Sequence, residues 1–150
     1  MNFEIKETPL KGLMQGRIVS KKDDRGYFER VYCIYEFEEK LNINKGIVQI
    51  NRSMSKIKGT IRGCHFQYPP FAETKIVSCP RGKLFDVAVD LRKGSETYLN
   101  YYSLVLTNEN KSFLVIPEGF AHGFQTLEEN TEILYLVTEK FSLKHDNGIN

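Results

Sequence analysis

Short stretches of strand-like sequence recur along the whole chain and limit its possible folds more than any other feature. Eight runs are alternating or rich in β-branched residues, and most are five to eight residues long: 16–20, 46–51, 75–78, 84–91, 101–106, 112–116, 123–127 and 131–138. Glycine, proline, asparagine and aspartate cluster between them. The pattern predicts an all-β barrel or jelly roll. A Glu-rich segment, 35–41, is the best helical candidate and is short enough to be an appendage.

Length and charge narrow the class of protein. A chain of 150 residues is long enough for one domain with a real core, so we expect a single domain over 1–150. The formal charge of +2 is small, and Lys and Arg are spread along the sequence, which argues against nucleic acid as a partner. No apolar stretch approaches the roughly 20 residues that cross a bilayer, so no membrane role is expected.

Cysteine usage indicates a reducing compartment. The chain has three cysteines, Cys33, Cys64 and Cys79, with no C-x-x-C spacing. The first residues show neither a charged nor an apolar leader pattern. We therefore expect a cytoplasmic protein with free thiols.

One predicted strand, 84–91, carries aspartates in a period-two pattern. Alternation places Phe85, Val87 and Val89 on one face, which we expect to be the packed face. Asp86 and Asp90 fall on the opposite face. In a small barrel that face looks either into the lumen or into solvent, so Asp86 is a candidate for a ligand cavity.

Two short motifs place histidines in strand-like sequence. Pro117-x-Gly119-x-x-His122 resembles the second motif of the cupin superfamily, whose members often bind metal. The metal-binding first motif needs His-x-His, whereas here the stretch reads His65-Phe66-Gln67. Two histidines alone make a poor metal site, so we predict no metal.

Without a metal, His65 is best explained as a general base, because imidazole titrates near neutral pH. Lys75, ten residues later, could stabilise the negative charge that forms when a carbon loses its proton. Taken alone, the same residues could equally be a hydrogen-bonded core histidine and a solvated lysine. Residue types and spacing leave both interpretations open.

A longer pattern favours the catalytic interpretation. Segments matching one family follow one another in order over nearly the whole chain: 24–29 (DRGYFE), 49–53 (QINRS), 61–70 (IRGCHFQYPP), 85–92 (FDVAVDLR), 116–124 (IPEGFAHGF) and 134–135 (LY). Together they resemble the dTDP-4-dehydrorhamnose 3,5-epimerase family. The resemblance implies a cupin-like jelly roll (double-stranded β-helix), usually a homodimer. Such an enzyme acts without cofactor on a nucleotide-diphosphate 4-keto-6-deoxy sugar for surface polysaccharide synthesis.

The resemblance also assigns roles to individual residues. The family's base falls on His65, the lysine facing the C4 oxygen on Lys75, and the acid that reprotonates carbon on Tyr135. Positions near the sugar and phosphates fall on Arg62 and His122. The nucleotide-binding positions are the following: Arg25, Glu29, Gln49 and Asn51.

The end of the sequence departs from the family pattern. Members usually continue through a tail with an Asp that orients the catalytic histidine, whereas this sequence ends at Asn150. Asp86 or a bound water could replace that partner of His65. Lys140-Phe141 also stands where many members have a tyrosine-rich pair.

Other functions remain open from the sequence. The departures are compatible with a non-catalytic nucleotide-sugar binding protein or partner subunit. A 3,4-ketoisomerase is a second alternative, although it typically has a His-x-His pair that is absent here. A metal-dependent cupin oxygenase is the weakest.

Overall fold

Antiparallel strands dominate the computed structural model, which describes residues 1–41 and 43–150. These residues form thirteen strands and one helix, in the following order: β1 Phe3–Glu7, β2 Met14–Ile18, β3 Lys21–Asp23, β4 Gly26–Phe28, α1 Ile34–Leu41, β5 Gln49–Ser55, β6 Ile61–Gln67, β7 Lys75–Arg81, β8 Lys83–Asp90, β9 Tyr101–Thr107, β10 Ser112–Ile116, β11 Phe120–Thr126, β12 Thr131–Val137 and β13 Asp146–Gly148.

Most strands belong to two sheets that face each other. The six-stranded sheet has the order β1-β2-β10-β7-β12-β5, and the five-stranded sheet has the order β13-β6-β11-β8-β9. Most neighbours in the sheets are distant in sequence, as a jelly roll requires. Strands β3 and β4 form a separate hairpin. The predicted all-β, cupin-like jelly roll is confirmed.

The main core lies between the two sheets, and a second core lies under the helix. The first consists of the following buried residues: Leu10, Leu13, Val77, Cys79, Leu84, Ala88, Leu106, Leu114, Ile116, Phe120, Phe124 and Ile133. In the second, Phe37 of α1 packs edge-to-face on Phe3, with ring centroids 4.9 Å apart. The helix is thus an appendage, as predicted for 35–41. No helix in the described ranges is long and apolar enough to cross a membrane.

Strand β8 turns its aspartates to the interior, one of the two orientations left open by the sequence, whereas the face expected to be packed lies outside. Leu84, Asp86 and Asp90 are fully buried and face inward, whereas Phe85 is exposed and Val87 is only half-buried. The apolar alternation therefore marked the outer face. The inner face tolerates two aspartates because each has a specific hydrogen-bonding partner, which an alternation of apolar residues does not reveal.

Asp90 is the centre of a hydrogen-bonded group that we call the Asp90 cluster, formed with Arg92, Ser95 and Thr97. Its Oδ1 accepts from the Arg92 backbone N–H and Nε, and its Oδ2 accepts from Arg92 Nη2, Ser95 Oγ and Thr97 Oγ1, all within 2.6–3.0 Å. Burial alone would raise the pKa of Asp90, but these hydrogen bonds outweigh it and hold the pKa far below its ordinary value. The cluster anchors the chain that leaves β8.

Candidate active site

A cavity of about 480 Å³ lies between the two sheets. Its size is within the range of small-molecule sites. Polar and aromatic side chains from both sheets line it: Gln49, Asn51, Arg62, His65, Glu73, Lys75, His122, Phe124, Tyr135, Val137, Phe141 and Asp146. Seven of the ten predicted site residues are therefore brought together: His65, Tyr135, Lys75, Gln49, Asn51, Arg62 and His122.

The six-stranded sheet supplies one wall through three adjacent strands. Tyr135 on β12 lies opposite Asn51 on β5, and two residues on, Val137 lies between Gln49 and Lys75. Residues paired across antiparallel strands point to the same face of a sheet. The period of two therefore places these side chains together on the inner face.

The five-stranded sheet supplies the opposite wall. His65 on β6 lies directly opposite His122 on β11, and Phe124 lies opposite Asp86 on β8. A register irregularity between His122 and Phe124 in the pairing with β6 brings Arg62 opposite Phe124. The two histidines thus enter the cavity side by side from neighbouring strands.

Asp86 binds His122 and not His65. His122 Nε2 and Asp86 Oδ1 are 2.7 Å apart, and both side chains are buried. The suggestion that Asp86 is the carboxylate partner of His65 is therefore corrected. The cause is strand order: β11 lies between β6 and β8, so His122 is nearer to Asp86 than His65 is.

The Asp86 carboxylate is only half satisfied. Its Oδ2 is buried and has no hydrogen-bond partner among the described residues. Burial raises the pKa of Asp86 above its ordinary value, against the opposing effect of His122 and Lys75. An incompletely satisfied buried carboxylate that is bonded to a cavity residue, here His122, is typical of a functional site.

Tyr135 is held in place by His122. The two rings meet edge-to-face with centroids 6.0 Å apart. Burial raises the pKa of Tyr135, and the negative charge of Asp86 adds to the effect. The phenol therefore keeps its proton at neutral pH and is able to act as an acid.

His65 is exposed to the cavity and is packed against strand β13. Gly148 lies opposite it, and a Cβ at Gly148 would sit 3.7 Å from His65 Nδ1 and 3.0 Å from the Cys64 carbonyl oxygen. A glycine at this position lets the strand pass close to the imidazole. No hydrogen bond to a His65 ring nitrogen is found from residues 1–41 or 43–150.

Arg62 and Lys75 give the cavity its positive charge. Arg62 Nε donates to Ser55 Oγ at 3.2 Å, which ties β6 to β5 across the gap between the sheets. Lys75 Nζ lies 3.2 Å from Glu73 Oε1, and both side chains are largely buried. A guanidinium with free N–H groups and a lysine ammonium suit phosphate and a developing oxyanion, respectively.

Two predicted nucleotide contacts, Arg25 and Glu29, lie outside the cavity. Arg25 is on the exposed β3–β4 hairpin and pairs with Asp23 at 2.6 Å. Glu29 pairs with Lys111 at 2.9 Å and also binds the Ser20 hydroxyl. Neither lines the cavity of its own chain.

Four polar or aromatic residues of the cavity were not among the predicted site residues: Glu73, Phe124, Phe141 and Asp146. Glu73 lies in a loop, so strand periodicity gave no signal, although its spacing two residues before Lys75 is a signal that could have been used. Asp146 belongs to a segment treated as a polar tail, which instead forms β13. In the described chain, the cavity included, no three His, Cys, Asp or Glu side chains converge to hold a metal ion. The metal-free site stays a prediction.

Comparison with known proteins identifies the class. The family model described as dTDP-4-dehydrorhamnose 3,5-epimerase matches residues 7–150. The dTDP-4-dehydrorhamnose 3,5-epimerase of Sinorhizobium fredii is 50% identical over 127 residues, which are 85% of this chain and 65% of that protein. The Salmonella typhimurium enzyme of the same name is 46% identical over 85% of this chain and 69% of its own length. The chain thus matches about two thirds of the length of these relatives.

Solved structures agree in fold. A dTDP-4-dehydrorhamnose 3,5-epimerase from Bacillus anthracis, with TDP and PPi bound, is 39% identical with a TM-score of 0.93, covering 98% of this chain and 83% of that one. A dTDP-6-deoxy-D-glucose-3,5-epimerase from Legionella pneumophila, in complex with dTDP-4-keto-L-rhamnose, is 35% identical with a TM-score of 0.94, covering 99% and 78%.

The fold is that of solved nucleotide-sugar epimerases, which have a cupin-like jelly roll. This chain belongs to the dTDP-4-dehydrorhamnose 3,5-epimerase family. The resemblance noted in the sequence is confirmed.

Proposed function

We propose that the chain is a cofactor-independent epimerase that inverts C3, C5 or both of a nucleotide-diphosphate 4-keto-6-deoxy sugar. One observation carries the proposal: a base candidate, His65, faces the same cavity as an acid candidate, Tyr135, from the opposite sheet. An inversion needs a base on one face of the carbon and an acid on the other. The ligands named for the related Bacillus and Legionella structures support this substrate class.

The chemistry follows from the C4 ketone, which acidifies the hydrogens on both C3 and C5. His65 removes one of these protons, and the electron pair moves onto the C4 oxygen to form an enolate. Lys75 stabilises that oxygen, an interaction worth roughly 3–4 kcal/mol in characterised oxyanion sites. Tyr135 then donates its phenolic proton to the opposite face of the carbon. Solvent restores the protonation of His65 and Tyr135.

The remaining cavity residues bind and orient. His122, fixed by Asp86, supports the Tyr135 ring and offers its own ring to the sugar. Arg62 is suited to the diphosphate because a guanidinium pairs bidentately with phosphate oxygens. Gln49 and Asn51, on the edge strand β5, offer amides to the nucleotide.

Arg25 and Glu29 enter this proposal through a homodimer. The β3–β4 hairpin exposes two aromatic rings, Tyr27 and Phe28, together with Arg25, and none of them lines the cavity of its own chain. An aromatic side chain beside a guanidinium suits a base attached to phosphate. We infer that the hairpin, with Glu29 fixing its base, contacts the nucleotide in the cavity of a second copy. In a two-fold dimer the exchange is mutual.

Mixing two inactive variants tests this arrangement. Arg25→Ala and His65→Ala chains, each of low activity alone, are expected to regain activity when they are unfolded and refolded together. In the mixed dimer, the cavity of the Arg25→Ala chain keeps its His65 and receives Arg25 from the other chain. If Arg25 acts only within its own chain, mixing restores nothing.

The activity itself is tested by proton NMR in deuterated water with dTDP- and GDP-linked 4-keto-6-deoxy sugars. We expect the H3 signal, the H5 signal or both to disappear as deuterium enters, and His65→Ala to prevent the loss. Following the two signals separately identifies the carbon that is inverted. Persistence of both signals with every sugar would contradict the proposal.

A second candidate is a nucleotide-sugar binding protein without catalysis. It is favoured by one observation: within the described ranges, His65 has no carboxylate to orient it. The same NMR samples distinguish the two functions, because a binding protein would give saturation transfer to the nucleotide without any exchange at carbon.

A further inference from the structure

Among the residues that the structure describes, Glu73 is the acidic side chain of the cavity wall that pairs with a proposed catalytic group, Lys75. It precedes β7 by two residues, and only 10% of its side chain is exposed. Its Oε1 lies 3.2 Å from Nζ of Lys75, whose side chain is 14% exposed. A carboxylate and an ammonium so far removed from water depend on each other for compensation of charge.

The Glu73 carboxylate is itself held in place. Gln67 Nε2 lies 3.5 Å from Glu73 Oε2 and donates more strongly to the Phe71 carbonyl oxygen, at 2.8 Å. The side-chain oxygen Oε1 of Gln67 accepts from the Ser142 backbone N–H at 2.7 Å. Gln67 is buried, so this amide joins the loop before β7 to the segment after β12. The order Gln67, Glu73, Lys75 forms a chain of polar contacts that ends at the cavity.

Other ionisable groups surround the pair. Burial raises the pKa of Glu73, Lys75 opposes this rise, and the negative charges of Asp146 and Glu139 add to it. The charge of Lys75, on the six-stranded sheet, also opposes the rise in the pKa of Asp86 that burial causes. The remaining titratable or charged groups of the same cavity are the following: Arg62, His65, His122 and Tyr135. Glu73 is the group within ion-pair distance of the ammonium.

We propose that Glu73 is a positioning residue for the reaction: it keeps the buried Lys75 ammonium charged and aimed at the substrate oxygen. The inference rests on the proposed function. Without an anion beside it, a buried lysine gives up its proton more readily, because burial disfavours the charged form. A neutral amine would stabilise the enolate far less than an ammonium does.

Glu73→Gln is the informative variant, since the amide has the same shape and its oxygen can still accept from Lys75. Glu73→Asp keeps the charge but shortens the side chain by one methylene. Glu139→Gln is the matched control: it removes a nearby negative charge from a residue that does not line the cavity. Thermal melting and dTDP binding establish that each variant is folded.

The first readout is independent of activity. Lysine side chains labelled with ¹³C at Cε are titrated by NMR, and the Lys75 signal is assigned by its absence in Lys75→Met. We expect Lys75 to lose its proton at a lower pH in Glu73→Gln than in wild type, because the paired anion is gone. Wild type, Glu73→Asp and Glu139→Gln are expected to titrate together.

The second readout is the rate of deuterium exchange into the sugar as a function of pH. In Glu73→Gln the alkaline limit of kcat should move to lower pH, with kcat at neutral pH reduced about 10²-fold, as for a misplaced catalytic group. Glu73→Asp should keep the alkaline limit and lose only part of kcat. If Glu73 had a merely structural role, the alkaline limit of kcat would stay at the same pH in Glu73→Gln.

Two results separate the inference from the function beneath it. If Lys75 titrates identically in wild type and Glu73→Gln, the role of Glu73 is overturned, whatever the activity. If the Lys75 titration shifts as expected but wild-type protein exchanges no deuterium with any 4-keto sugar, the pairing of Glu73 with Lys75 is supported and the proposed function is overturned.

Discussion

Strand β8 carries two aspartates, Asp86 and Asp90, that are equally buried and have opposite surroundings. Asp90 accepts hydrogen bonds from five donors of Arg92, Ser95 and Thr97. Among the described residues, the Asp86 side chain has one hydrogen bond, to His122, and its Oδ2 has no hydrogen-bond partner. The pKa of Asp90 is depressed by its donors, whereas burial raises that of Asp86.

The difference separates stability from function along a single strand. A carboxylate with every lone pair satisfied rigidifies the fold, because its desolvation is fully compensated. A carboxylate left half satisfied beside a cavity stores electrostatic free energy that a bound substrate or a catalytic partner can use. The Asp90 cluster and the cavity should therefore respond differently to substitution.

The largest expected effect is on rate, in the cavity. His65→Ala should reduce deuterium exchange by about 10²–10⁴-fold, the usual contribution of a general base. Because His65 is exposed, the free energy of unfolding should change by no more than about 0.5 kcal/mol. NMR exchange rates and urea denaturation measure the two quantities. Undiminished exchange would remove His65 from the mechanism.

The Asp90 cluster should show the reverse. Asp90→Asn turns a donor group toward the Arg92 guanidinium and leaves a buried network incomplete, so we expect a loss of about 3 kcal/mol in unfolding free energy. The rate per folded molecule should be unchanged. Urea denaturation with activity measured on the folded fraction tests both statements, and a loss below about 1 kcal/mol would contradict the structural role of the cluster.

Asp86→Asn makes the same chemical change as Asp90→Asn, but at the aspartate beside the cavity. It removes the carboxylate that orients His122, and the loss of such a partner costs roughly 10- to 100-fold in characterised metal sites. We expect kcat to fall by about tenfold, at the low end of that range, because His122 does not itself remove the proton from carbon. The unfolding free energy at neutral pH should change by less than about 1 kcal/mol. A stability loss equal to that of Asp90→Asn would erase the distinction.

The smallest effect is on the pH dependence of stability, where the two aspartates have opposite signs. The pKa of Asp86 is raised on folding, so its contribution is present at low pH and is lost as the pH rises through that pKa. The depressed pKa of Asp90 gives a contribution that is present above about pH 4 and is lost as the pH falls below it.

Urea denaturation of the two Asn variants and wild type at several pH values from about 3 to 7 measures this contrast. Relative to wild type, Asp86→Asn should become more stable as the pH rises from about 4, because the variant has no carboxyl to ionise. The loss of unfolding free energy in Asp90→Asn relative to wild type should become smaller only below about pH 4. Parallel curves for both variants would contradict the assignment.

The sequence predicted the fold class and most of the cavity, because strand periodicity and ordered motifs are local signals. The run 131–138 appears as β12 and places Tyr135 as expected. Failures occurred where partners decide the outcome. The packed face of β8 was misassigned because the hydrogen-bond partners of its aspartates lie outside the strand: Asp86 binds His122 on β11, and Asp90 binds side chains in the segment that follows β8.

Segments without periodicity were also missed. Strand β13 has three residues and forms only by pairing with β6, so Asp146 gave no signal of a cavity position. Glu73 became visible only when the loop before β7 was seen beside Lys75. Pairing between strands far apart in sequence depends on the whole fold, so the sequence of one strand alone does not predict it.

The base and the acid of the proposed reaction stand on different sheets, and facing sheets are held about 10 Å apart by the side chains packed between them. The thickness of the apolar core therefore sets the distance between the base that removes a proton from one face of the sugar and the acid that donates a proton to the other. Residues that never touch substrate, such as Leu114 and Ile133, fix that thickness. Selection for a bulkier sugar would act on the volume of such residues, and changes of specificity in this family should be traceable to its interior as well as to its pocket.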